Sequence, residues 1–426
     1  MLVSKFAPLA VFKNWGQGLC PSRSGVRMLS NSVKITLVAI LLGLISGWAQ
    51  TACNSTKLIC LIPTALHTNS SEFRFVNSAF GTQIGQLPLA TPASGFIFTF
   101  DKPSGVYTAS QESFGPLLAE RAETIGRHRV YLAFTYQRFM FSEIDGNDLK
   151  NIPILFSFFS DDGQLAAVTD TRNRLDTTID QYVVFGTFGL TNRIDVSLAV
   201  PIERISMGLR STGTEYSTTS DAQATFTQFL AGSASGVGDV VLSAKGTLFK
   251  YEKLGLAAGM ELRFPTGEEE NFLGSGAYGL KPYIVLSRRG RIAPHLNLNY
   301  QWNGNSLLAR DQNGEQRLPA YFGYTAGADI GVTKRLTLVA DLVGQYFLDA
   351  PQVSTPRNIS AQVNNLPRVF SSVEVASGSY NVHNLGVGVK ANPWQNMLVT
   401  GNVLIKLDDG GVRARVVPLV GLSYSF

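Results

Sequence analysis

The chain has 426 residues, of which only 16% are charged and 10% aromatic, with 41 glycines and a mean hydropathy of +0.09. Ordinary soluble proteins carry about 25% charge, a bundle of membrane helices is far more apolar, and a disordered chain is far more charged. Collagen-like, coiled-coil and disulfide-dense classes are excluded, which leaves a large β protein that hides its apolar content by alternation.

The net charge of +5 belongs to the N-terminus. No acid precedes Glu72, while Lys5, Lys13, Arg23, Arg27 and Lys34 lead into the apolar run Ile35 to Ala49. A basic lead, a short apolar core and the small residues Gly47 and Ala49 predict a secretory signal peptide over 1–49, with Met28 as an alternative start. The run falls short of the ~20 residues that span a bilayer as a helix. Without the leader, 31 basic residues face 31 acidic ones, so no nucleic-acid partner is expected. Cys53 and Cys60 remain in CNSTKLIC, where an exported protein either closes a small disulfide loop or keeps two thiols. His67, His128, His295 and His383 show no metal spacing, and no cofactor is expected.

Residues 50–127 read as a periplasmic or plug segment. Within them, GFIFTFD, DKPSG and VYTAS suggest a hairpin, and LLAERAETIG at 117–126 suggests a short helix from its Ala, Leu and Glu content. From residue 128 onward the period is two. Ile194, Val196, Leu198, Val200 and Ile202 alternate with Asp195, Ser197, Ala199, Pro201 and Glu203, and Leu254 to Phe264, Ile292 to Trp302 and Phe322 to Val332 repeat the pattern. Such alternation makes strands with one apolar and one polar face. The strands fall at 129–141, 178–190, 194–206, 238–249, 254–265, 280–288, 292–302, 320–332, 336–348, 381–390, 397–407 and 412–426. Most are longer than the soluble mode of about 5–6 residues and match the ~9–11 that cross a bilayer when tilted.

Connections sort by parity. TNR, KYEK, RRGR, TKR and ANPWQN are short, whereas 209–237, 266–279, 303–319 and 349–380 are long. That is the outer-membrane pattern of short periplasmic turns and long outer loops. Aromatics at strand ends (Phe264, Trp302, Phe322, Tyr324, Tyr346, Tyr380) suit an interfacial girdle. The fold predicted is an all-β transmembrane antiparallel barrel over 128–426, of twelve strands or fourteen if the hairpin joins, with both termini periplasmic.

The last strand carries Val420, Leu422, Tyr424 and Phe426 on one face, and this ending resembles the assembly signal of bacterial outer-membrane proteins. Leu422, Tyr424 and Phe426 are its candidate contacts with the barrel assembly machinery. SFGPLLAERAETIGRHRVYLAFTYQRF at 113–139, GLTNRIDVSLAVPI at 189–202, and GVGDVVLSAKGTLF, ELRFPTGEEENFLGSGAYGLKPYIV and PHLNLNYQWNG across 236–304 resemble the outer-membrane transporter group named for the MetA pathway of phenol degradation. The resemblance implies a barrel that transports small molecules, aromatic or hydrophobic ones in particular. It carries no catalytic residues over.

Three constellations remain. Gly274 to Gly279 match GxGxxG, but a strand follows where a dinucleotide site needs a helix, so this is an outer loop. Glu268, Glu269 and Glu270 form a carboxylate run that a divalent cation or the counterions of lipopolysaccharide would suit. On the polar phase stand Lys245, Arg263, Lys281, Lys390, Lys406, Arg413 and Arg415, with Asp195, Glu203, Asp239, Glu261, Asp329 and Asp341. They are either cross-strand ion pairs or a basic wall favouring anionic solutes, and Lys390, Lys406, Arg413 and Arg415 are the candidate solute-facing patch. No serine accompanies His295 or His383, so no enzyme is expected. The functional reading is a small-molecule channel in contact with outer-membrane lipid and lipopolysaccharide. The alternative is a closed barrel whose loops bind a ligand or partner.

Overall fold

A computed structural model describes residues 56–61, 72–84, 86–89, 97–101, 106–110, 113–114, 116, 118–159, 165–311, 314–394 and 396–426. The expected signal peptide and Cys53 lie outside these residues, and with Cys53 the expected disulfide; Cys60 is buried.

Among the described residues twelve antiparallel strands close on themselves. They are β1 (Val130–Ile144), β2 (Leu165–Gly189), β3 (Ile194–Ser217), β4 (Val240–Tyr251), β5 (Leu254–Phe264), β6 (Gly279–Arg288), β7 (Ile292–Asn303), β8 (Tyr321–Thr333), β9 (Leu336–Val353), β10 (Val375–Trp394), β11 (Met397–Lys406) and β12 (Val416–Ser425). β1 pairs with β2 on one side and with β12 on the other, so no strand edge is left open to lipid. At the seam Tyr424 lies opposite Leu132 and Leu422 opposite Phe134.

The alternation is inverted relative to a soluble barrel. Leu132, Phe134, Val184, Leu198, Ile202 and Ile284 are exposed on the outside, whereas Thr135, Gln137, Gln181, Asn297, Thr325 and Asp329 are buried inside. Short connections join β2–β3, β4–β5, β6–β7, β8–β9 and β10–β11 at the end where β1 starts and β12 finishes, which marks that end as periplasmic. One strand interior depends on glycine: the ring of Tyr283 lies across Gly259 and leaves no room there for a side chain.

Three expectations are corrected. Residues 97–101 and 106–110 do form a hairpin, but they pair only with each other, so the count is twelve and not fourteen. Most of 209–237, read as a loop, is strand: β3 runs on to Ser217 and Gln223–Val237 pairs back along it. Thr, Ser, Gly and Ala alternating there lack the apolar face that marks a membrane strand. Finally, 118–126 is irregular rather than helical. Wall side chains take its amides in place of helical carbonyls: Asn297 accepts from Glu120 N, Ser287 from Ala122 N and Asp195 from Ile125 N. The helix of this region is α1, Glu72–Ile84.

Candidate functional site

The polar faces of the strands enclose a lumen, and the chain before β1 enters it. At the outer end α1 buries Ala79, Phe80 and Ile84 among Phe141, Ile144, Phe272, Leu308 and Val412. Phe80 meets the rings of Phe141 and Phe272 edge-on at 6.1 and 6.0 Å. Gln83 bonds the Tyr380 hydroxyl and accepts from the Val412 amide. Tyr380 therefore faces inward and is no part of the girdle. In the loops above, burial raises the carboxyl of Asp145 although it accepts N–H bonds from Val353 and Gly411, each at 2.7 Å.

Below α1, the Pro88 carbonyl accepts from Gln137 Nε2 at 2.7 Å. A cavity of about 200 Å³ follows in mid-lumen. Leu87, Pro88 and Leu89 from the chain after α1 and Leu118, Ala119 and Glu120 from the chain before β1 both line it. Its wall mixes Phe185, Val241, Tyr283 and Leu404 with Gln181, Asn297, Asn299 and Gln301. Glu203, Asp239, Glu261, Arg263 and Lys281 also line it.

Residues 113, 114, 116 and 118–126 line the inside of the wall toward the periplasmic end, burying Phe114, Ala122 and Ile125 and making many polar contacts. Lys245 Nζ donates to Glu120 at 2.6 Å and to the Arg121 carbonyl at 3.0 Å. Arg121 lies 2.5 Å from Asp329. His295 stands between Asp329, at 3.6 Å, and Asp341, at 2.8 Å. Lys390 Nζ donates to the carbonyls of Phe114 and Pro116 at 3.3 and 2.6 Å. Arg289 reaches the buried Glu123 at 3.2 Å, and Thr247 donates to the Ala122 carbonyl at 2.6 Å.

The cations singled out in the sequence are thus engaged with protein groups. Lys281 pairs with Glu261 at 2.6 Å, the cross-strand partner in the register. Arg263 donates to Asn303 at 2.7 Å and lies 3.7 Å from Asp239. Lys390, Lys406, Arg413 and Arg415 do not form one patch. Lys390 aligns with Thr400 and Lys406 with Asn384, six residues along β10, or roughly 20 Å. At the outer rim Lys406 and Arg415 share Glu143, and Lys406 also meets Asp409 at 2.8 Å. Arg413 donates to the His383 carbonyl at 2.6 Å and lies 3.5 Å from Asp408. Arg415 falls between two strand segments, and its side chain is 74% exposed rather than on the lumen wall.

The two other motifs are outer loop. Gly276 has φ +66°, and the Asp239 carboxylate accepts from Gly267 N and Ser275 N, which shapes the glycine loop without any ligand. Lys57 pairs with Glu268 and lies 3.9 Å from Glu270, while Glu269 accepts from Ser306 and Leu307 at 3.3 Å. Burial raises the Glu269 carboxyl. Among the described residues no cluster of three or more His, Cys, Asp or Glu is arranged to hold a metal.

Reading the sequence missed Gln83, Glu120, Arg121 and Glu123, all of which precede the barrel. The available signal was on the wall. Asp329 and Asp341 stand on adjacent strands facing inward, and β8 and β9 offer no cation to match them.

The model of the family described as "Putative MetA-pathway of phenol degradation" matches residues 159–413. Among solved structures the chain is similar to the COG4313 outer membrane channel from Pseudomonas putida F1, at 15% identity and TM-score 0.45, covering 72% of this chain and 98% of that one. The transport unit of the autotransporter AIDA-I from Escherichia coli matches at 16% identity and TM-score 0.32, covering 70% and 91%. A Pseudomonas aeruginosa FadL homologue matches at 9% and 0.29, covering 70% and 90%. No curated protein sequence matches.

Proposed function

The chain belongs to the outer-membrane family described as "Putative MetA-pathway of phenol degradation", and from that premise we propose that it is a channel for small neutral molecules, shut at rest by its own N-terminal segment. The observation that carries this reading is the mid-lumen cavity of about 200 Å³, lined on the inside by residues 87–89 and 118–120 of the N-terminal segment. A channel with this arrangement conducts only when one of the two seals moves.

The lining supports the solute class. An apolar cavity of roughly 150 Å³ holds benzene, so this one suits a single substituted ring. Phe185, Val241 and Leu404 would cover its apolar body, and Gln181, Asn297, Asn299 and Gln301 would bond one polar substituent. A basic wall selecting anions finds no support here, because Arg263 and Lys281 face Glu203, Asp239 and Glu261 across the same space.

The test is flux through vesicles holding the full mature chain or its Arg121→Ala variant. The variant is expected to pass a neutral phenol faster than benzoate, and the parent to pass both slowly. Equal or faster benzoate flux would contradict the solute assignment. Removing 355–375 separates the receptor reading: a channel keeps its flux, whereas a surface receptor loses its binding.

A further inference from the structure

The outward face of β1, β2 and β3 changes character abruptly. Up to Tyr136, Tyr182 and Ile202 it is apolar. The next outward positions are Arg138, Asp180 and Arg204, which lie side by side in the register. Six residues further along the strands Arg174 lies opposite Arg210, with Arg172 beyond. Around much of the remaining wall the outward row instead reaches the outer rim on aromatics, as at Phe264, Trp302, Phe322 and Tyr346.

All five arginines are exposed, and three aspartates are interleaved with them. Arg172 meets Asp170 at 2.9 Å, Arg174 meets Asp176 at 2.8 Å, and Arg138 lies 3.5 Å from Asp180, which also accepts from the Tyr136 hydroxyl at 2.7 Å. Arg204 and Arg210 remain outside these carboxylate pairs, with Arg210 set 5.8 Å over the Phe229 ring. The face therefore keeps an excess of positive charge just beyond the apolar belt of the outer surface.

We propose that Arg204 and Arg210, supported by Arg138 and Arg174, form a two-tiered site for the phosphates of outer-leaflet lipopolysaccharide. Guanidinium forks match phosphate oxygens bidentately. The tiers are six residues apart, roughly 20 Å along the strand. A phospholipid headgroup reaches only the lower one. A glycolipid phosphorylated on its membrane-seated disaccharide and on the sugars above it reaches both, and this spacing selects lipopolysaccharide.

The experiment compares the full mature chain with Arg204→Ala/Arg210→Ala and with Arg357→Ala/Arg368→Ala, a control in the outer hairpin. Lipopolysaccharide retained after detergent extraction is counted by native mass spectrometry. The midpoint of the heat-dependent gel shift is followed as lipopolysaccharide, its dephosphorylated form or phosphatidylglycerol is added. The parent and the control are expected to bind lipopolysaccharide alike, and the Arg204/Arg210 variant about tenfold or more weakly, the worth of one charged hydrogen bond. Equal binding by that variant, or equal stabilisation by the dephosphorylated form or by phosphatidylglycerol, would overturn the site. If the alanine pair does not fold, Arg204→Lys/Arg210→Lys serves, keeping charge but losing the fork. Intermediate affinity is then expected, and unchanged affinity would again overturn the site.

Discussion

The chain ahead of β1 packs into the lumen at both ends of the barrel, and the share of ionic contacts differs between them. At the outer end α1 is held by apolar burial, with Phe80 and Ala79 almost wholly removed from solvent among the loops. At the periplasmic end residues 113, 114, 116 and 118–126 combine apolar burial of Phe114, Ala122 and Ile125 with a set of charges and hydrogen bonds, and Arg121, Glu123 and Thr124 are buried among them. A fully buried aliphatic or aromatic side chain contributes about 1.5–3 kcal/mol. A buried ion pair returns much of its attraction as desolvation cost. The periplasmic contacts, which carry more of the ionic pairs, are therefore expected to yield before those of α1. That asymmetry makes the periplasmic mouth the end expected to open.

The comparison breaks most sharply at Arg121. Its removal takes the guanidinium away from the buried Asp329, and removing one partner of a buried ion pair costs about 3–5 kcal/mol. Arg121→Ala should free the periplasmic segment while the barrel keeps its gel shift, read as faster proteolysis within 113–126. Phe80→Ala, at about 3–5 kcal/mol for a buried phenylalanine, should loosen α1 and leave the periplasmic segment protected in hydrogen exchange. Glu120→Gln keeps a hydrogen bond to Lys245 but removes the charge. About 1.5–3 kcal/mol is at stake, so channel openings should become more frequent without becoming larger. Gln83→Ala takes its partner from the buried Tyr380 hydroxyl and Val412 amide, which should cost about 1–3 kcal/mol at the outer end and change neither conductance nor openings. Should Phe80→Ala open the channel more than Arg121→Ala does, the assignment of the weaker seal is reversed.

Every membrane strand was legible because lipid outside and polar lumen inside impose one rule on each residue, as in Leu254 to Phe264. The rule fails where the wall leaves the membrane. Thr, Ser and Gly in 211–236 pair as strand with water on their faces, so no alternation marks them. Residues 118–126 misled for another reason. Their composition favours a helix, but their amides bond to Asn297, Ser287 and Asp195, partners that exist only once the barrel is closed. Among the inward charges the cross-strand pair Glu261–Lys281 was legible, whereas Lys245 and Asp329 take their partners from Glu120 and Arg121, which lie outside the barrel strands. Arg415 was misplaced by a break in pairing between Ala414 and Val416, which no periodicity reveals.

Closure of the barrel by its own N-terminal segment is open to direct test. The direct measurement is single-channel conductance of the mature chain beside a chain lacking residues 58–126, each first shown to fold by its heat-dependent gel shift. A quiet full chain and a steadily conducting truncated one are predicted. Equal conductance from both, or silence from a folded truncated barrel, would contradict the account.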